Sequence, residues 1–111
     1  MIEDAVLEFL DSRLNVATAM EVPSKPPGTF LVVEKTGSGC SNYIRKANIA
    51  VQSYGSSLLQ AAQLNEKVVQ AMAALPELDG IGACKLLRDY NFTDTAAKRY
   101  RYQAVFEVTY Y

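Results

Sequence analysis

The stretch Arg99-Tyr100-Arg101-Tyr102-Gln103-Ala104-Val105-Phe106-Glu107-Val108-Thr109-Tyr110-Tyr111 places aromatic or apolar residues at every second position. In an extended chain Tyr100, Tyr102, Ala104, Phe106, Val108 and Tyr110 fall on one side. Arg99, Arg101, Gln103, Val105, Glu107 and Thr109 fall on the other. This period of two predicts a strand with one face in a core and one amphipathic face, and so a fold organised around a sheet.

Working back towards the N-terminus, Ile81 to Tyr90 reads as a strand that pairs with the last one, with Asn91 to Ala97 as the polar connection. Before it, Ala61, Leu64, Val68, Met72 and Leu75 share one face of a long helix. Ser57 and Gln60 fit the S-x-x-Q capping box that satisfies two orphan backbone donors at its start. Pro76 should end this helix and Asp79-Gly80 turn the chain.

Two further strands are expected at Phe30 to Thr36 and Tyr43 to Tyr54, joined as a hairpin across Gly37-Ser38-Gly39-Cys40-Ser41-Asn42, which reads as a mobile loop. In the second strand Ile49, Val51 and Ser53 alternate with Asn48, Ala50 and Gln52. Val16 to Val22 is a short strand candidate that stops at Pro23, before the stiff turn Pro26-Pro27-Gly28. Ile2, Val6, Phe9, Leu10 and Leu14 are spaced as the apolar stripe of a helix over the first dozen residues. The expected fold is therefore α+β, an antiparallel or mixed sheet with two helices on one face, in the order α-β-β-β-α-β-β.

With 111 residues, half of them apolar, the chain suits one domain spanning 1–111, able to bury roughly two thirds of its unfolded surface. Eleven basic and twelve acidic side chains leave a net charge of −1, so no global field draws it to nucleic acid or to an anionic membrane. The first residues are acidic where a secretory signal is basic, and no apolar run approaches the ~20 residues that span a bilayer. Synthesis in the cytosol is expected, so Cys40 and Cys84 should be free thiols and the Asn91-Phe92-Thr93 sequon carries no glycan.

The chain contains no histidine, which removes Ser-His-Asp and Cys-His nucleophiles and the HExxH zinc motif. The two cysteines form no CxxC pair, and neither a metal nor any cofactor is expected. Glu3-Asp4 and the pair Asp89 and Asp94 are better read as helix-end and turn residues than as paired catalytic acids. The glycine-rich segment lacks the Gly-Lys-Ser/Thr ending of a phosphate loop. Basic and aromatic residues interleave in Lys98 to Phe106, but the glycines of an RNA-recognition strand are missing and the aromatics alternate into a core, so packing outweighs base stacking.

The layout as a whole, with Val22-Pro23-Ser24-Lys25-Pro26-Pro27-Gly28-Thr29-Phe30-Leu31-Val32-Val33-Glu34-Lys35-Thr36-Gly37 and Tyr90-Asn91-Phe92-Thr93-Asp94 through Tyr111, resembles the tail-terminator or tail-completion proteins of siphophages. That resemblance implies a non-enzymatic virion protein, made in the bacterial cytoplasm. It would form a homo-oligomeric ring, typically a hexamer, that caps the tail tube and meets the head connector or head-completion protein. Neither a membrane nor a specific nucleic-acid sequence is an expected partner.

Interface candidates are Lys35, Gly37, Gly39, Asn42, Arg45, Asp94, Arg99 and Arg101, in or beside the hairpin loops where charges can meet a neighbour. Three other readings stay open: a head-closure or minor capsid protein, a small nucleic-acid-binding domain, and a hydrolase built on two carboxylates.

Overall fold

The computed structural model describes residues 1–111. Helix α1 (Ile2–Leu14) is followed by strands β1 (Thr18–Ala19), β2 (Phe30–Ser41) and β3 (Ile44–Gly55). Helix α2 (Leu58–Met72) and a short 3-10 turn (Leu75–Glu77) lead to β4 (Ile81–Asn91) and β5 (Tyr100–Tyr110). The α+β class and the element order agree with the sequence reading.

One five-stranded sheet runs in the order β1-β2-β3-β5-β4. The short β1 lies parallel to β2, with Thr18 opposite Leu31, and every other pair is antiparallel, so the sheet is mixed. The C-terminal strand pairs on both sides, which its sequence suits: Ala104, Phe106 and Val108 are buried on one face and Val105 on the other. Only Ile81 is buried in β4, as befits an edge strand. Because β5 lies between β3 and β4, the chain must cross over it, and α2 is that crossing.

Both helices cover one face. Ile2, Val6, Phe9 and Leu10 of α1 and Ala61, Leu64, Val68 and Met72 of α2 meet Val33, Ile49, Val51, Ala104, Phe106 and Val108 of the sheet in one apolar core. Leu10, Leu31, Ile49, Met72, Leu75 and Phe106 are almost wholly removed from solvent, and truncating any of them to alanine should cost about 2–5 kcal/mol. The opposite face holds a smaller cluster of Phe30, Val32 and Tyr54, against which Val22 packs.

Ser57 caps α2 by accepting from the Gln60 amide at 3.2 Å, and Gln60 Oε1 accepts from the Ser56 amide at 3.0 Å. The reciprocal cap therefore reaches one residue further back than the motif states. Gly55 ends β3 against this turn: a Cβ there would lie 2.6 Å from the Ala61 nitrogen, so only glycine lets the strand come so close to the helix.

Several local expectations are corrected. The segment Gly37 to Asn42 is not a mobile loop: β2 continues through it to Ser41, with Ser38, Gly39, Cys40 and Ser41 opposite Ala47, Lys46, Arg45 and Ile44. Glycine and serine are poor strand formers, yet the partner strand is in place and offers backbone partners at every step. A bulge between Lys35 and Gly37 absorbs one residue, and the turn itself is only Asn42-Tyr43, with φ of 51° and 65°. Two consecutive residues in the left-handed region are what a two-residue hairpin turn requires.

The strand expected over Val16 to Val22 shrinks to Thr18–Ala19, because only this dipeptide reaches β2. Pro76 does not end α2, which stops at Met72; it sits instead at the start of the 3-10 turn, where a missing N–H leaves no bond unmade.

Candidate interaction surfaces

The sheet has two ends, and the sequence-derived candidates divide between them. At the end where Arg45 faces Tyr110, the chain forms a cleft of about 440 Å³ lined by Lys35, Arg45, Glu3, Asp79 and Tyr110 among others. Lys35 Nζ stands 3.9 Å from Glu3 Oε2, a link between β2 and α1. The other Glu3 oxygen is buried with no hydrogen-bond partner.

Gly37, Gly39 and Asn42 lie further out on the same arm. A Cβ at Gly37 or Gly39 would meet nothing within 4 Å, so packing does not demand glycine at either position. Tyr43, at the tip, was not among the candidates; it is 94% exposed and holds a left-handed backbone, unusual for a bulky residue.

At the other end, where Gly55 faces Tyr100, Asp94 and Arg99 close the β4–β5 hairpin by exchanging backbone hydrogen bonds of 2.9 and 3.0 Å. Asp94 Oδ1 also accepts from the Ala97 amide at 3.1 Å, the local turn role expected of it. Asp89, expected to act likewise, does not: it lies within β4 and accepts from Asn65 of α2. Asp94 is thus a turn residue, whereas Asp89 joins a strand to a helix.

Arg99 lines a second cleft, of about 230 Å³, with Lys98, Pro26, Pro27, Tyr54 and Tyr100. Arg101, two residues on, projects from the opposite side of the sheet to the helices and is engaged within the molecule. Its Nε donates to the Phe92 carbonyl at 2.6 Å and its Nη1 to the Tyr54 hydroxyl at 3.1 Å. The guanidinium lies 4.4 Å from the Phe92 ring centre. Phe30 stacks on Tyr54 at 4.4 Å with the rings 9° from parallel, so Arg101 caps an aromatic stack.

The hydrogen bonds continue across the strands. Tyr54 donates to Gln52 at 3.0 Å, Gln52 to Gln103 at 2.9 Å, and Gln103 to the Tyr90 hydroxyl, linking β3, β5 and β4. Sequence reasoning passed over this chain of contacts because it depends on Gln52, Gln103 and Tyr90 being register partners.

Both cysteines are free. Cys40 is exposed on β2, and Cys84 is half-buried on β4, where burial pushes its thiol up to about 11. No helix is long and apolar enough to cross a membrane.

No family model matches this chain, and no curated protein matches it. Among solved structures, the fold is similar to that of a chain in the virion of a native gene transfer agent particle. That alignment has a TM-score of 0.73, covers 98% of this chain and 93% of the other, and has 16% sequence identity. At that identity what the two share is the fold, over nearly the whole of both chains.

Proposed function

We propose that this protein is a structural component of a phage-like virion, a tail-terminator subunit whose copies close into a ring, typically of six, capping the tail tube and presenting a face to the head connector. The observation that carries this reading is the near-complete similarity of fold to a chain of a gene transfer agent virion. The sequence resemblance to siphophage tail-completion proteins points the same way.

The surface is compatible with assembly. Both outer strands of the sheet leave backbone groups unpaired, over β4 and over β2 beyond Val32, and a closed ring shields edges that would otherwise invite uncontrolled pairing. The projecting β2–β3 arm, with Tyr43 at its tip, is the element best placed to reach a neighbouring virion protein. On this reading the protein acts by docking, without catalysis and without a cofactor.

Light scattering across a wide concentration range, with and without the tail tube protein, tests the proposal. A discrete mass near six chains, imaged as a ring, is the expected result. A monomer under both conditions would overturn it.

A further inference from the structure

The charges of this nearly neutral chain are segregated. Asp4, Glu8 and Asp11 are exposed on α1 at spacings of four and three residues, and so share one face of the helix. Like charges so placed weaken a helix. The Met1 amino group stands 3.9 Å from Asp4, while Arg13 pairs with Glu77 at 3.5 Å and Lys35 with Glu3 at 3.9 Å, and neither Glu8 nor Asp11 has a cation within 4 Å.

The complement lies in the cleft beside the β4–β5 hairpin. Lys98 and Arg99 line it, are exposed, and take part in no ion pair. The same cleft reaches Gly55 and Ser56 just before α2, a helix whose start is capped by the neutral Ser57 and carries no acidic residue in its first turn. The Phe30, Tyr54 and Tyr100 rings and two prolines supply apolar walls.

We propose that the acidic face of α1 in one copy docks on the Lys98–Arg99 cleft of a second copy. This deepens, and rests on, the reading of the protein as a self-assembling subunit. The two patches are different surfaces: α1 packs on the helix-covered face over β1 and β2, whereas the cleft lies at the end of the sheet where Gly55 faces Tyr100, with Phe30 and Tyr54 of the opposite face in its wall. A contact between unlike patches is heterologous, the kind that builds rings, and not the self-matching contact of a simple dimer.

A carboxylate-bearing helix fits better than a nucleic acid. The net charge of −1 provides no long-range attraction for a polyanion, and two cations in a cleft of about 230 Å³ make no track for a phosphate backbone. Exposed ion pairs contribute modestly, so these charges set register and association rate while apolar contacts hold the interface.

A charge-swap experiment tests the proposal. One variant carries Lys98→Glu and Arg99→Glu, the other Glu8→Lys and Asp11→Lys, each checked by circular dichroism for native folding. Alone, each places like charges across the interface and should need at least about tenfold more protein to assemble. Mixed equally they should recover assembly, because each acidic cleft then meets a basic helix, and an even-numbered ring should form.

If the wild type assembles and each folded variant assembles equally well alone, this interface is wrong while the ring reading stands. Failure of the mixture to recover assembly has the same meaning. A wild type that stays monomeric even with the tube protein overturns both. Binding of a labelled 20-mer DNA that is lost in the Lys98→Glu, Arg99→Glu variant while assembly persists would assign the cleft to nucleic acid and overturn the proposal.

Discussion

The side-chain amide of Asn65 donates from Nδ2 to Asp89 Oδ2 at 2.8 Å, tying the buried face of α2 to the exposed edge strand β4. Asn65 is 2% exposed and its Oδ1 already lacks a partner, so this one bond is what α2 gains from burying an amide. The two partners therefore differ in what their loss costs.

Asp89→Ala strands both polar atoms of Asn65 in the interior, and the expected loss is about 1–3 kcal/mol. Asn65→Leu leaves only an exposed carboxylate, which water resolvates, and fills the site with an apolar side chain of similar size. It should be close to neutral. Urea unfolding of both variants checks this order; equal losses would mean the bond contributes nothing particular.

Arg99 and Arg101 should separate sharply although the sequence treats them alike. Arg101→Ala removes a cation from an aromatic stack together with two side-chain hydrogen bonds, and should cost about 1–3 kcal/mol. Arg99→Ala, on the exposed rim of a cleft, should stay within about 0.5 kcal/mol of wild type. Thermal unfolding that ranks them the other way would contradict the role assigned to Arg101.

Tyr43 occupies a left-handed conformation that disfavours a side chain, so Tyr43→Gly should stabilise the folded chain by about 1 kcal/mol. The same change removes the aromatic group at the tip of the arm. Denaturant midpoints should rise, and if the tip docks on a virion partner, binding to that partner should fall in the same variant.

The thiols should react in two phases, with Cys40 modified quickly in the native protein and Cys84 only slowly until unfolding. Burial raises the Cys84 thiol from 9.0 to about 11, so the unfolded chain gives up this proton first. Between about pH 9 and 11 the unfolded state binds fewer protons than the native one, and stability must fall as pH rises. Cys84→Ala should flatten that part of the curve, which unfolding at stepped alkaline pH will show.

The sequence alone determined the identity of the main elements, because the signals involved are local. The alternation from Tyr100 to Tyr110, the helical spacing from Ala61 to Met72 and the Ser57 cap each operate within a few residues, and the chain cannot satisfy its backbone and bury those side chains in another way. The interface candidates were legible only as residues in or beside the hairpin loops, a rule that could not tell the exposed Arg99 from Arg101, which the fold engages internally.

Tertiary structure decided the rest. Whether Gly37 to Ser41 forms a loop or a strand depended on a partner being present from Ile44 to Asn48, since glycine imposes no conformation of its own. The placing of β5 between β3 and β4 decided which face neighbours met: Gln52 with Gln103, Gln103 with Tyr90, and Arg101 with the Tyr54 ring. Hydrophobic patterning states which side of a strand is buried, but it carries no label for which strand lies next to it. That choice follows from long-range packing, in which α2 crosses β5 and the C-terminal strand, whose Ala104, Phe106 and Val108 are buried beneath the helices, takes a central position with a partner strand on each side.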